Sequence, residues 1–175
     1  PITCGTSAKK SMLFGHANGV VSNHKGAIQS TEESSVELLV TTPLGYIDAL
    51  ENGTLIRRKG AEEVWSCNGD IITVQQCGFS FVDVPTHWAG RWSGSEGRVE
   101  VRNSETGELL ISNQSSRCES IASNSDRIAV GFENGDICLW ERSMFERRMK
   151  NGNKREKKDE RKSALQDKLR ALRDR

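Results

Sequence analysis

No stretch of this 175-residue chain approaches the ~18 consecutive apolar residues of a membrane-spanning helix. No positively charged and then apolar segment opens it, so a secretory leader is not indicated. The five cysteines, at 4, 67, 77, 118 and 138, contain no Cys-x-x-Cys pair, which argues against a zinc ribbon. The histidines at 16, 24 and 87 bring no zinc-ligand spacing either, so no metal site and no cofactor is expected. There is no Gly-x-x-x-x-Gly-Lys-Ser/Thr loop and no Gly-x-Ser-x-Gly elbow, and no pair stands out among the carboxylates. Apolar residues make up 35% and charged residues 28%, which is polar for a globular chain but short of wholesale disorder. The expectation is a chain with no catalytic residues and five free, buried thiols in a reducing compartment, cytoplasmic or nuclear. The chain begins at Pro1 without a methionine, which fits a processed form or a fragment.

Charge is present but divided. The net charge of +1 is a cancellation. Residues 1–140 hold 11 Lys/Arg against 17 Asp/Glu, and residues 141–175 hold 14 against 7, giving −6 and +7. All four tryptophans and 15 of the 16 glycines precede residue 141, so the two parts have different structures and different partners. The expected organisation is a β domain over 1–141, a linker or short helix over 142–153 and a basic helical tail over 154–175.

The first part reads as β-hairpins. Ile128, Val130 and Phe132 alternate with Ala129 and Gly131 before Asn134-Gly135, and Ile137 and Leu139 follow. Asn-Gly is the strongest short hairpin signal, because a type I′ turn needs positive φ at both central residues. Asn18-Gly19 and Asn52-Gly53 repeat the pattern. Cys77-Gly78 reads as a further turn, and Gly97 as a weaker one. An irregular repeat of hairpins without helices between them predicts an all-β repeat architecture, although turns at this spacing also fit a β-sandwich.

Asn134-Gly135 followed by Leu139-Trp140-Glu141 resembles the WD-repeat family of β-propellers, with Glu141 in place of the usual Asp. Val99 to Leu110 is similar to the end of one blade and its outer strand, with Thr106-Gly107 as the turn. Ser120 to Ser125 is similar to the start of the next blade. Arg102-Asn103 stands where a Trp-Asp pair would be, and Gly15-His16 sits inside a hairpin rather than ahead of a first strand. The resemblance covers residues 97–141 and implies β-propeller-like repeats of antiparallel hairpins that dock other proteins through rim loops. Blades of ~40–45 residues would number about three before the tail, too few for a ring. The expectation is therefore a longer propeller, trimmed blades, or a partner chain that completes the ring.

Candidate contacts follow from residue type. His87, Trp88, Arg91 and Trp92 flank a Gly- and Ser-rich segment and form the expected partner-binding loop, since Trp and Arg are enriched at binding hot spots. In the tail, Lys150, Lys154, Arg155, Lys157, Lys158, Arg161 and Lys162 would contact an acidic protein surface or RNA, or simply be solvated. Leu165, Leu169 and Leu172 have helical spacing and would dock this helix on a partner or begin a longer helix. Met144, Phe145 and Met149 would pack a short helix back onto the β domain. The leading expectation is a non-catalytic protein–protein interaction scaffold. An RNA- or ribosome-associated factor is the alternative, and a small β-rich enzyme using His87 and Cys77 is a third.

Overall fold

Short alternating runs between turn signals become strands because one face of each can be buried against a neighbour while the other stays wet or meets a second sheet. The computed structural model describes residues 1–8, 11–81 and 83–147. Its strands form four antiparallel sheets, each contiguous in sequence. The first holds β1 (Ile2–Ala8), β2 (Ser11–His16), β3 (Val20–Asn23) and β4 (Ile28–Thr31). The second holds β5 (Val36–Thr42), β6 (Gly45–Leu50), β7 (Leu55–Lys59) and β8 (Glu62–Cys67). The third holds β9 (Ile71–Cys77), β10 (Thr86–Trp92), β11 (Gly97–Asn103) and β12 (Leu109–Ser115). The fourth holds β13 (Cys118–Ser123), β14 (Arg127–Phe132) and β15 (Ile137–Glu141).

The sheets are four blades of a β-propeller. The first strand of each is innermost, with β1 packed on β5, β5 on β9 and β9 on β13. No comparable packing joins β13 to β1 among the described residues, so the blades form an open arc. The estimate of three blades is corrected to four, because these blades are trimmed and the last has three strands.

The core lies between blades. Leu13 and Val21 of blade 1 meet Val36, Tyr46, Leu50 and Ile56 of blade 2. Ile47, Ala49 and Leu55 of blade 2 meet Ile72 and Ala89 of blade 3. Trp88, Val99 and Val101 of blade 3 meet Cys118, Ile128 and Val130 of blade 4. Each blade thus uses one face toward its successor and the opposite face toward its predecessor.

A sequence period underlies this order. A small residue stands four positions ahead of a glycine in the turn between the second and third strands of every blade: Gly15 and Gly19, Ala49 and Gly53, Gly90 and Gly94, Gly131 and Gly135. The four turn glycines have φ of 81°, 84°, 99° and 86°, a region that costs other residues energy. Cys77-Gly78 is not such a turn. It ends β9 and starts the connection to β10, and Gly97 already belongs to β11. The expected turns at Thr106-Gly107, Asn18-Gly19, Asn52-Gly53 and Asn134-Gly135 all join consecutive strands.

After β15 a short helix covers residues 142–147. Phe145 on this helix is buried among Phe79, Phe81 and Trp88, with ring centroids 5.0–6.0 Å apart. Met144 is exposed, contrary to expectation, since adjacent helix residues cannot share one face. Met149 lies outside the described residues. The thiols also differ from expectation: Cys118 is buried, Cys4, Cys67 and Cys77 are half-buried, and Cys138 on the outermost strand of blade 4 is exposed. No described helix is long and apolar enough to cross a membrane.

Candidate interaction rim

The four turns share one end of the arc with the segments that lead from one blade into the next. Asn18 and Asn52 accept the backbone N–H two residues on, at 3.4 and 3.0 Å, and Asn134 does the same for Asp136 at 3.1 Å. In blade 3 the hydroxyl of Ser93 accepts the N–H of Glu96 at 3.1 Å instead. Three turns are also tied to a segment entering a blade. Glu32 N–H, on the way into blade 2, donates to Gly19 O at 2.9 Å. In blades 2 and 4 the turn is tied to the entry of its own blade, Glu51 N–H donating to Ser35 O at 2.9 Å and Glu133 N–H to Arg117 O at 3.0 Å. Side-chain oxygens closing these short loops are why Asn and Ser sit there.

Between blades 2 and 3 the tie is a buried guanidinium. Arg91 donates from Nη1 to Gly53 O at 2.9 Å and to Asp70 O at 2.8 Å, and from Nε to Glu100 Oε2 at 2.7 Å. Glu100 also pairs with Arg98 at 3.2 Å and Arg102 at 3.0 Å, and the flanking guanidinium groups hold its carboxyl below the usual range against the opposing effect of burial. A buried charge is tolerable only with partners of this kind.

The rim so fixed is acidic. Glu33, Glu37, Glu51, Glu96, Glu119, Glu133 and Asp136 are exposed around it. Its arginines are engaged: Arg98 with Asp70 at 2.6 Å and Arg117 with Glu119 at 3.4 Å. Neither the acidity nor its placement on one end was visible in the sequence, because it needs the strand directions. The signal was a carboxylate beside three of the four turns, Glu51, Glu96 and Glu133.

The expected contact loop is corrected. His87, Trp88 and Arg91 are buried in β10, and Trp92 at its end is half-buried. The segment is the second strand of blade 3, packed on both faces. Trp88 is fully buried and donates from Nε1 to Thr86 Oγ1 at 3.0 Å. His87 Nε2 shares a 2.8 Å hydrogen bond with Gln75 Oε1. Burial, then the nearby Arg102 and Arg91 charges, lower the His87 pKa to about 3, so the ring is neutral. Burial pushes the Cys77 thiol up to about 11, and Sγ donates to Thr41 O at 3.3 Å. His87 and Cys77 therefore face each other across the sheet as packing groups, without a mutual hydrogen bond among the described contacts. No cluster of three metal-ligating side chains occurs among the described residues.

Lys150, Lys154, Arg155, Lys157, Lys158, Arg161, Lys162, Leu165, Leu169 and Leu172 all lie outside the described residues.

No family model and no curated protein matches the chain by sequence. Solved structures match its fold. The computationally designed Ika8 protein aligns with a TM-score of 0.63 at 20% identity, over 80% of this chain and 45% of its own. The designed Ika4 protein aligns with a TM-score of 0.60 at 20% identity, over 81% of this chain and 91% of its own. The WD40 propeller domain of Doa1 aligns with a TM-score of 0.61 at 10% identity, over 81% of this chain and 51% of its own. The chain thus spans about half of Ika8 and of the Doa1 domain, and nearly all of Ika4. These likenesses establish the propeller fold.

Proposed function

We propose that the chain is a non-catalytic protein-docking platform of the WD-repeat kind, and that its acidic turn rim meets the basic surface of another protein. The observation that carries this reading is the rim itself: exposed carboxylates on turns and blade-entry segments that hydrogen bonds hold in place. Loops on a rigid scaffold lose little entropy on binding, and a field of one sign speeds encounter with a partner of the other. The Lys/Arg-rich segment from Lys150 to Lys162 would give the same chain a second contact, with an acidic partner.

Glu51→Lys, Glu96→Lys and Glu133→Lys in one variant test the rim. Partners captured by the full chain and identified by cross-linking should contact the rim and bear basic patches. Their association should weaken at least about tenfold in the triple variant and fall with salt. Unchanged affinity, or cross-links confined to other surfaces, would refute this reading. Retention of RNA that disappears on truncation after Arg147, which spares the buried Phe145, would favour the nucleic-acid alternative.

A further inference from the structure

The blades are joined by a repeated plug and socket, and the two ends of the arc carry one unused copy of each. The plug is the residue of the innermost strand that pairs with the position three before the turn glycine. By strand register it is Ile2 opposite His16, Val36 opposite Leu50, Ile72 opposite Arg91 and Cys118 opposite Phe132. A register shift follows it in every blade, leaving Thr3, Glu37, Thr73 and Glu119 as the extra residue. A bulge of this kind re-aims the neighbouring side chain.

The socket is the small residue four before the turn glycine. A Cβ on Gly15 would stand 2.6 Å from Val36 Cγ1, so only glycine admits that plug. A Cβ on Gly90 would clash with the Cβ of Cys118. Ala49 shares its buried cluster with Ile72. Three sockets thus hold three plugs, each supplied by the following blade, and Val36, Ile72 and Cys118 are all buried.

Among the described residues the fourth of each is unfilled. A Cβ on Gly131, the socket of blade 4, would meet only Ser120 Oγ, at 2.7 Å and from its own blade. Ile2, the plug of blade 1, is 61% exposed. Register places Ser120, Ala122, Ala129, Ile137 and Leu139 on the Gly131 face, and Ile137 and Leu139 are exposed. Register places Gly5, Met12, Phe14, His16 and Ile28 on the Ile2 face, and Met12 and Ile28 are exposed. Exposed apolar area grouped on two faces marks a contact surface.

We propose that two copies of this chain close into one eight-bladed ring, with Ile2 of each copy seated on Gly131 of the other. A second copy is the occupant that the chain's own chemistry specifies. It offers the missing plug to one end and the missing socket to the other, and a twofold axis satisfies both contacts at once. Eight blades lie within the ~4–8 of closed propellers. The fold is found both in a chain that this one nearly spans and in one of about twice its span.

The full 175-residue chain is measured by light scattering on a sizing column, beside Ile2→Glu, Gly131→Glu and a control, Val64→Glu, on the outer strand of blade 2. Ile2 and Val64 are exposed, and a Cβ on Gly131 would meet only the Ser120 hydroxyl at 2.7 Å among the described residues, which a rotation about χ1 relieves. All three variants should therefore fold, which circular dichroism checks. The unmodified chain and the control should run at twice the chain mass. Each end variant should dissociate at a concentration at least about tenfold higher, because a carboxylate would be buried in an apolar contact. A monomeric unmodified chain, masses beyond two copies, end variants that still pair, or a control that fails to pair would each overturn the proposal.

Discussion

The interior blade interfaces and the two end faces use the same residue types, yet one set is buried and the other is wet. Gly15, Ala49 and Gly90 each sit against a following blade, whereas a Cβ on Gly131, at the same position, would meet only Ser120 Oγ of its own blade among the described residues. Val36 and Cys118 are fully buried, whereas Ile2 is 61% exposed. The difference cannot lie in local sequence, since the turn, the small residue and the bulge are repeated in all four blades. It lies in whether the described residues place a blade against the face. An end face of the described arc is therefore an interior face with no described blade upon it.

The contrast can be broken at its strongest point by removing a buried tie. Arg91→Ala leaves the Gly53 and Asp70 carbonyls without this donor, strips Glu100 of one of its three guanidinium partners and empties a buried site, and should lose about 3–5 kcal/mol in denaturant unfolding. Phe145→Ala should cost a similar amount, about 3–5 kcal/mol, by emptying the aromatic site beneath blades 3 and 4. Loss below about 1 kcal/mol in either case would show that these contacts do not hold the arc together.

Glycine substitutions sharpen the contrast. Gly15→Val forces a side chain into Val36 and should destabilise by about 1–3 kcal/mol. Gly131→Val, measured under conditions where the chain is monomeric, displaces only the Ser120 hydroxyl among the described residues and should cost no more than about 1 kcal/mol. Equal effects at the two positions would mean that they are not equivalent sockets.

Two interfaces should also respond to pH in opposite directions. Asp48, between blades 1 and 2, is fully buried with both carboxylate oxygens unpartnered. Burial, then the Glu32 charge, raises its pKa to about 8, while Arg58 opposes this and is itself bidentate to Glu32 at 2.7 and 2.8 Å. The folded state holds this proton more tightly than the unfolded chain. Its contribution is therefore complete below about pH 4 and lost as pH rises through about 8. Asp48→Asn should flatten that limb and gain on the order of 1 kcal/mol at neutral pH. His87, between blades 2 and 3, has its pKa lowered to about 3, so its contribution is present above about pH 6.5 and lost as pH falls toward 3. It faces Arg91, Arg102, Glu100 and Gln75. Urea midpoints from pH 3 to 9 separate the two limbs, and an Asp48→Asn profile that keeps the alkaline limb would contradict the assignment.

Much of the fold was legible because its turns use Asn-Gly and its strands alternate. Blade 3 was misread for a physical reason. Its turn is built on Ser93 and Gly94 without Asn, while Cys77-Gly78 looks like a turn but opens a longer connection. The contact residues were misread because Trp and Arg serve buried and exposed roles alike. Trp88 fills the space between blades 3 and 4, and Arg91 is an internal clamp. Rim acidity and the paired vacancies at Ile2 and Gly131 depend on strand direction and register, which a sequence pattern does not display.

Electron microscopy of the purified full chain tests the central claim most directly. The account predicts closed rings of eight blades about a central channel with twofold symmetry. Isolated four-bladed particles, open or closed, at concentrations where the chain is fully folded would contradict it.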